Sequence, residues 1–267
     1  MEQTTALNIL KSGKNVFLTG SAGAGKTYTL NQYVSYLRAH RIPVAVTAST
    51  GIAATQLNGS TIHSWSGIGI KDFLTMKDVN KVKNNRFKAE AINRTKVLII
   101  DEISMLHAKQ LAMVDTMLRL VRGIEEPFGG IQLVLTGDFF QLPPVGDEGE
   151  LNKDKFCFMS PAWINADLHV CYLDQQYRQS EGPLIEILNA IRSQSVTPEH
   201  VALLRETEYN DSLGESPLHL YTHNLSVDLI NQRSLRDLEG ELKTFKAEEV
   251  GHEALLKVLK NSVRAPE

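Results

Sequence analysis

A glycine-rich stretch ending in lysine and threonine, Gly20-Ser21-Ala22-Gly23-Ala24-Gly25-Lys26-Thr27, constrains this chain more than any other feature. It fits the spacing G-x-x-x-x-G-K-[ST] without a gap and lies between a predicted strand, 15–19, and a predicted helix, 26–39. Glycines at this spacing let backbone N–H groups curl around phosphate oxygens, and the following helix N-terminus adds partial positive charge. Lys26 would neutralise the β- and γ-phosphates, and the Thr27 hydroxyl would bind Mg²⁺. The stretch therefore predicts nucleotide binding, with a purely structural glycine turn as the alternative.

Short apolar runs alternate with helical patterns along the chain. The runs typical of strands lie at 15–19, 43–47, 96–100, 131–135, 170–173 and 218–221. Beyond 26–39, helical patterns follow the strand at 96–100, with Leu111, Val114 and Leu118 on one face, and begin again at Pro161 and Pro183. Continuous apolar strands separated by helices predict an α/β fold with a parallel sheet covered by helices on both faces.

Composition excludes several classes of protein. A hydrophobic content of 42% with 22% charged residues excludes bulk disorder. The longest purely apolar run has about four residues, far below the ~20 that a membrane span needs. The first residues lack a basic region followed by an apolar stretch, so no secretory signal is predicted. Two cysteines form neither a disulfide framework nor a four-ligand zinc site, so we expect a reducing, cytosol-like compartment.

The formal net charge of −3 conceals a basic segment. Residues 64–96 contain eight basic residues against three acidic ones, and they interrupt the strand–helix rhythm like an insertion. Such an asymmetry is compatible with a local surface that binds a polyanion. A solvated helical face explains the charge equally well. Among the aromatic residues here, Phe87 is a candidate for stacking on bases, whereas Trp65 and Phe73 are expected in the core.

Asp101 and Glu102 directly follow the apolar run 97–100. A carboxylate at the tip of a buried strand beside a phosphate-binding loop can hold Mg²⁺, and an adjacent carboxylate can orient or deprotonate the attacking water. The alternative is an acidic cap for the next helix. Together with the glycine-rich stretch, the pair favours a site that hydrolyses a nucleotide.

Two later segments carry polar side chains just after predicted strands. In Gly137-Asp138-Phe139-Phe140-Gln141-Leu142-Pro143-Pro144, the Gln141 amide is a candidate contact for the γ-phosphate or the lytic water; a proline-terminated turn is the alternative. In Tyr177-Arg178-Gln179, Arg178 is a candidate for stabilising transition-state charge, although a single arginine after a strand is usually a surface ion-pair partner.

Small hydroxyl residues lie in segment 47–54, which opens a predicted helix, and in segment 60–64 shortly beyond it. Such residues at a helix N-terminus suit a phosphate of a nucleic-acid strand, independently of base sequence. Simple helix capping is equally compatible with Thr50 and its neighbours. His63 taken alone is more often a packed or surface histidine than a functional one.

Taken together and in order, these segments resemble the Pif-one-like DNA helicases, B-type superfamily 1 motors related to RecD. The resemblance spans essentially the whole chain, and Gln3 lies seventeen residues before Gly20, like the family's adenine-reading glutamine. The two most specific strings are Asp101-Glu102-Ile103-Ser104-Met105 and Gly137 to Pro144. The other matching segments are Thr50 to Ala54, Thr61 to Ser64, Phe128 to Gln132, Tyr177 to Gln179, and Tyr221 to Asn224.

The resemblance implies an ATPase and DNA helicase of replication and repair that moves 5′ to 3′ on single-stranded DNA and separates duplex. ATP and Mg²⁺ are the implied cofactors. Asp101 and Thr27 would hold magnesium, Glu102 would be the catalytic base, Gln141 the phosphate sensor and Arg178 the arginine finger, with Lys26 on the phosphates. The implied nucleotide-binding set is Gln3, Gly20, Gly23, Ala24, Gly25, Lys26, Thr27 and Tyr28.

The resemblance also implies a RecA-like organisation. Residues 1–63 and 95–180 would form the first motor domain, 64–94 a wedge insertion at the strand-separation point, and 181–267 the beginning of a second RecA-like domain. The implied DNA-binding residues are Thr50, Gly51, His63, Ser64, Lys81 and Lys83. Single-stranded and forked DNA are the expected partners of a monomer without membrane association, in the cytoplasm of a bacterium or in the nucleus or mitochondrion of a eukaryote.

The sequence departs from the family pattern in two ways. Ala24 stands where the family usually has threonine, a mild change because that residue contributes mainly its backbone. The family's last motifs lie beyond Glu267, so we expect a fragment that binds ATP and DNA but unwinds poorly. The alternative function is a nucleotide-gated module that binds single-stranded DNA without turnover. A small-molecule phosphotransferase is disfavoured, because the chain lacks a lid-like arginine cluster.

Overall fold

The fold is that of a computed structural model, whose contacts divide the chain into the units Met1–Arg205 and Glu206–Glu267. The residues that it describes are 1–146, 149–151, 153–175, 182–208, 219–221, 224–241, 243, 245, 248 and 250. In the second unit, the helix Asn224–Asp237 is the long regular element among those residues.

Six parallel strands form a single sheet in the first unit. They are β1 (Val16–Gly20), β2 (Val44–Ala48), β3 (Ser60–Thr61), β4 (Val97–Asp101), β5 (Gln132–Thr136) and β6 (His169–Leu173). Their order is β3-β2-β4-β5-β1-β6, and every neighbouring pair is parallel. Five strands match the apolar runs of the sequence to within one residue at each end. The two-residue β3 is too short to give a sequence pattern, and residues 219–221 of the predicted strand 218–221 are not in a strand.

Eleven α-helices are found among the described residues. They are α1 (Gln3–Lys11), α2 (Lys26–Ala39), α3 (Gly51–Gln56), α4 (Ile62–Ser66), α5 (Met76–Asn84), α6 (Arg86–Arg94), α7 (Ala108–Arg122), α8 (Pro161–Asn165), α9 (Pro183–Arg192), α10 (Pro198–Glu206) and α11 (Asn224–Asp237). The predicted starts of α2, α8 and α9 are confirmed, and α7 ends at Gly123 in the left-handed conformation. None of these helices has both the length and the apolar character required to cross a bilayer.

Both faces of the sheet are buried, as the apolar strands predict. Successive residues of β4 alternate between two clusters: Val97 and Ile99 pack with α1 and α2, whereas Leu98 and Ile100 pack with α7 on the other face. All four are at most 3% exposed. This two-sided burial fixes the strands, so that the loops after their carboxyl ends project from a rigid edge.

Helices α5 and α6 lie in the sequence between β3 and β4 and pack onto the core rather than standing apart. Val79, Val82 and Ile92 are buried in the same cluster as α7. The Arg122 guanidinium of α7 donates to the carbonyl oxygens of Ile92, Asn93 and Thr95 at 3.0, 3.2 and 3.1 Å. One arginine therefore ties the end of α6 to the main body.

The aromatic residues of this segment differ in their burial. Trp65 packs against the core, as expected. The expectation for Phe73 was wrong, because this side chain is 71% exposed. Phe73 precedes the Thr75 cap of α5 and therefore lies outside the apolar face of that helix. Phe87 is 86% exposed.

Candidate nucleotide-binding site

The candidate site lies at the carboxyl edge of the sheet, after three neighbouring strands. The glycine-rich loop follows β1, Asp101 and Glu102 end β4, and residues 137–141 follow β5. Ligands of open α/β sheets bind outside this edge, so residues distant in sequence meet there. A cleft of about 800 Å³ opens between these loops and α9. The predicted site residues that line it are Gly23, Gly25, Lys26, Thr27, Tyr28, Glu102 and Gln141.

The conformation of the loop requires glycine at two positions. Gly25 has a φ of +85° and immediately precedes α2, a backbone region that side chains other than glycine rarely adopt. A Cβ at Gly20 would come within 2.5 Å of the Leu173 carbonyl oxygen in β6. The loop therefore passes close to the sheet and turns sharply into α2, which leaves the amide groups at the helix start open to the cleft.

The Lys26 amine lies over the loop itself. Its Nζ donates to the carbonyl oxygens of Gly20 at 2.7 Å and Ser21 at 3.0 Å. Burial lowers the pKa of Lys26, and the charges of Asp138 and Glu102 oppose that shift. A partly desolvated ammonium flanked by carboxylates is well placed to exchange carbonyl partners for phosphate oxygens.

Asp101 and Glu102 form a partly buried acidic pair. The Thr136 hydroxyl donates to Asp101 Oδ1 at 3.1 Å, and burial raises the pKa of Asp101. Burial and the neighbouring charge of Asp101 likewise raise the pKa of Glu102. The Glu102 backbone is left-handed, with a φ of +52°. This strained turn directs Glu102 into the cleft, while Asp101 does not line it.

A serine after the neighbouring strand holds this acidic turn. The Ser49 N–H donates to the Asp101 carbonyl at 3.0 Å, and the Ser49 hydroxyl donates to the Glu102 carbonyl at 2.7 Å. Ser49 directly precedes Thr50, one of the candidate DNA contacts. The two candidate sites are therefore connected through backbone hydrogen bonds.

The donor atoms present suit magnesium. Asp101 and Thr27 provide a carboxylate and a hydroxyl, and Mg²⁺ in nucleotide sites takes few protein oxygens together with phosphates and water. No cluster of three or more histidine, cysteine or acidic residues arranged to hold a metal occurs in the part of the chain that the structure describes. The carboxylate and the hydroxyl are compatible with a magnesium ion that arrives with a nucleotide.

Gln141 reaches the cleft on a turn that Asp138 organises. The Gln141 N–H donates to the Asp138 carbonyl at 2.9 Å, and the Phe140 N–H donates to Asp138 Oδ1 at 3.2 Å. Asp138 in turn forms an ion pair with Arg192 of α9, at 2.5 Å between Nη2 and Oδ2. The sequence pattern alone predicted no role for either charged residue. Arg192 is a single arginine at the end of the amphipathic helix α9, and nothing in the sequence pattern indicates that it reaches this turn.

The remaining nucleotide candidates lie around the loop. The Gln3 side-chain amide donates to the Ala24 carbonyl at 3.3 Å, which brings α1 against the loop. Ala24 is buried, and Tyr28 is exposed on the cleft wall. Arg178 lies outside the residues that the structure describes.

The DNA-binding candidates occupy the adjoining half of the same edge. Thr50 and Gly51 follow β2, and His63 and Ser64 follow β3. Thr50 caps the N-terminus of α3, as the alternative interpretation of this segment predicted: its hydroxyl accepts the Ala53 N–H at 3.3 Å. His63 is half-buried, while Ser64 is exposed.

Lys81 and Lys83 project from α5 into solvent. Their side chains make no hydrogen bond or ion pair with any described residue. Two other cations of this segment are already engaged: Lys71 pairs with Asp78, and Lys88 donates to the Ser64 carbonyl at 2.8 Å. Part of the exposed, unpaired charge among the described residues of the insertion therefore lies on α5.

The chain matches a family model and several curated proteins. The model of the PIF1-like helicase family matches residues 1–190. An ATP-dependent DNA helicase Pif1 from Psychrobacter sp. (strain PRwf-1) is 55% identical over 272 residues, which cover 99% of this chain and 41% of the relative. The ATP-dependent DNA helicase RRM3 of Saccharomyces cerevisiae is 42% identical over 270 residues, which cover 98% of this chain and 37% of the relative. The chain thus spans less than half the length of these relatives.

Solved structures show the same fold. The Pif1 helicase from Candida albicans superposes with a TM-score of 0.81 at 33% identity, covering 99% of this chain and 61% of the other. A Bacteroides Pif1 helicase in complex with ADP-AlF3 and ssDNA gives a TM-score of 0.75 at 33% identity, covering 90% of this chain and 57% of the other. The predicted α/β, RecA-like fold is confirmed. Because the family model covers more than two thirds of the chain and the solved relatives share its sheet, this chain belongs to the PIF1-like helicase family.

Proposed function

We propose that this chain is an ATP-hydrolysing lobe of a DNA helicase that moves 5′ to 3′ on single-stranded DNA and separates duplex. The observation that carries the proposal is the single cleft shared by Lys26, Thr27, Glu102 and Gln141, which come from three different strand ends. A phosphate-binding lysine, a base and an amide in one cleft are the parts that nucleotide hydrolysis needs.

In the proposed reaction, the Lys26 ammonium leaves the carbonyl oxygens of its own loop and binds the β- and γ-phosphates. A Glu102 Oε atom accepts a proton from the attacking water, and its raised pKa makes the ionised carboxylate a stronger base. The Gln141 amide orients that water or the γ-phosphate. Mg²⁺ held by Asp101 and Thr27 would neutralise charge on the phosphate oxygens.

The proposed DNA path runs along the neighbouring strand ends and the insertion. Thr50 and His63 are half-buried, and Gly51 and Ser64 are exposed. Their backbone, hydroxyl and imidazole groups suit phosphates, since such contacts are independent of base sequence. The exposed lysines of α5 add the charge that releases counterions from a DNA backbone. The solved Bacteroides Pif1 helicase in complex with ADP-AlF3 and ssDNA supports both halves of this proposal.

Further parts of the proposal extend to the whole protein. Residues 1–63 and 95–180 form the first motor domain, 64–94 the wedge and 181–267 the start of a second domain. Arg178 is the arginine finger, and Gln3 reads adenine. The protein acts on forked DNA, and it does so as a monomer. The solved structure of two coordinating Pif1 helicases at forked dsDNA is an observation against the monomer.

Steady-state phosphate release, with and without single-stranded DNA, tests this proposal. We expect release that DNA stimulates, and a loss of about 10²–10⁴-fold in Glu102→Gln because the base is removed while the shape is kept. Glu125→Gln, an exposed glutamate on a surface turn, is the matched control and should retain wild-type release. Nucleotide-dependent DNA binding without any release would instead favour the nucleotide-gated binding module.

A further inference from the structure

Arg192 and Asp138 form a bidentate ion pair across 54 residues of sequence. The two guanidinium nitrogens Nη1 and Nη2 donate to Oδ1 and Oδ2 at 3.0 and 2.5 Å. The Asp138 residue is 1% exposed, so its carboxylate has left water almost completely. A planar fork of this kind fixes both the position and the orientation of the carboxylate, which a lysine does not do.

The ion pair holds the turn that carries Gln141. Asp138 Oδ1 also accepts the Phe140 N–H, and the Asp138 carbonyl accepts the Gln141 N–H. The Arg192 guanidinium carbon lies 4.6 Å from the centre of the exposed Phe140 ring. Arg192 therefore contacts the turn at two residues: its charge pairs with Asp138, and its flat guanidinium face lies over Phe140.

The ion pair belongs to the wall of the cleft. Arg192, Asp138, Phe140 and Gln141 line it together with Lys26. Burial alone would raise the pKa of Asp138, but the hydrogen bond and charge of Arg192 bring that pKa below its ordinary value. Arg192 thus favours the ionised carboxylate, and losing the guanidinium would leave a buried charge without its main partner.

We propose that Arg192 is a positioning residue for nucleotide hydrolysis: it holds Asp138 so that the Gln141 amide stays at the reacting phosphate. The inference rests on the proposed function and adds a residue to it. Arg192 acts through Asp138 and Gln141, and its role differs from that proposed for Arg178. It also makes α9 a part of the catalytic cleft.

Amide hydrogen exchange on the unliganded 267-residue chain tests the geometric half of this inference. In Arg192→Ala, exchange at the Phe140 and Gln141 amides should rise at least tenfold, while the amides of Leu133 and Leu135 stay protected. Arg38→Ala removes an exposed arginine from α2 and should change neither set. Equal exchange in wild type and Arg192→Ala would overturn the inference, whether or not the chain hydrolyses ATP.

Kinetics test the catalytic half. Arg192→Ala should lower kcat for ATP hydrolysis about 10–100-fold, the range expected for a misplaced catalytic group, with little change in KM or in ADP affinity. In a Gln141→Ala background, Arg192→Ala should cause no further loss, because the effect passes through Gln141. A purely structural role predicts instead that the two losses multiply, which would contradict the inference.

A second variant protects the test against misfolding. Asp138→Asn with Arg192→Met removes both charges at once, so no unpaired buried carboxylate remains. Its midpoint of thermal unfolding should lie near that of wild type, while its kcat falls as in Arg192→Ala. A wild-type kcat in this folded double variant would refute the positioning role. Absence of ATP hydrolysis in wild type itself would refute the proposed function and leave the exchange result to decide the geometry.

Discussion

The nucleotide cleft and the basic insertion use charge in opposite ways. In and beside the cleft, Lys26, Asp101 and Asp138 are largely or partly withdrawn from water and their pKa values are shifted. In the insertion, Lys81 and Lys83 remain in water and pair with no described residue. Buried charges are strong and fixed, as catalysis requires, whereas exposed charges are weak individually and suit a mobile polyanion.

Ser49 links the cleft to the DNA-binding candidate Thr50, which lies outside the insertion, since it holds the backbone of Asp101 and Glu102 and directly precedes Thr50. The cations of the insertion make no such bond to the cleft among the contacts described above. We therefore expect a change in the cleft or in the insertion to leave ligand binding by the other intact, while hydrolysis responds to both. Separate measurement of nucleotide binding, DNA binding and hydrolysis can test this division.

The largest effect is expected from Lys26→Ala. Removing an ammonium that stabilises the transferred phosphoryl group should lower the rate of phosphate release by about 100-fold or more. Affinity for single-stranded DNA in the absence of nucleotide should stay unchanged, because Lys26 lies in the cleft and not among the DNA candidates. Phosphate release and DNA titrations on the same preparation measure both quantities.

Lys14→Ala is the matched control for that variant. Lys14 is an exposed lysine just before β1, at the opposite edge of the sheet from the cleft. It should behave as wild type in both assays. If Lys26→Ala weakened DNA binding as much as hydrolysis, the cleft and the DNA surface would not be separate sites.

The cleft was predictable because its residues are constrained locally. The spacing from Gly20 to Thr27 and the acids at the end of an apolar strand each fix chemistry within a few residues, and parallel strands then bring their carboxyl ends together. Arg192 was not predictable in this way. Its partner lies 54 residues earlier, and only the path of α9 brings the two side chains into contact.

The insertion was predicted less well for a physical reason. Composition gives the net charge of residues 64–96. It does not show which cations form ion pairs or hydrogen bonds within the protein, as Lys71 and Lys88 do. It also does not tell an exposed aromatic such as Phe73 from a buried one such as Trp65. Surface residues are constrained by little except solvent, so the pattern carries less information about them.

A smaller effect is expected when two of the three exposed cations of α5 are neutralised. Lys81→Gln with Lys83→Gln should reduce the slope of log affinity against log salt for single-stranded DNA by up to about 2, because about one unit is lost per phosphate contact. Affinity for a nucleotide analogue should not change. Binding titrations at several salt concentrations give the slope.

The control for that pair carries the same change in charge. Lys14→Gln with Arg38→Gln neutralises two exposed cations at the amino edge of the sheet, away from α5. Its salt slope should equal that of wild type. Equal loss in the two double variants would mean that DNA responds to overall charge and not to the insertion.

The smallest effect is a change in the free energy of unfolding, and we expect this change to have opposite signs in the two regions. Because burial raises the pKa of Asp101, the folded chain binds a proton there more tightly than the unfolded chain does. This contribution to stability is fully present below the unfolded pKa and is lost as pH rises through the folded pKa, so ionised Asp101 weakens the fold at neutral pH. Asp101→Asn should therefore stabilise the unliganded chain at pH 7, by about 0.5–2 kcal/mol, with a difference that shrinks in acid.

Asp78 in the insertion should respond in the opposite direction. Hydrogen bonds from Lys71 and Thr75 lower its pKa to about 2, so its ionised form favours the folded chain above the unfolded pKa and loses that effect as pH falls toward 2. Asp78→Asn should then lower the midpoint of urea unfolding at pH 7, where Asp101→Asn raises it. Shifts of the same sign in the two variants would mean that one of the two acids does not act on the fold as its pKa indicates, and the contrast between the two regions would fail.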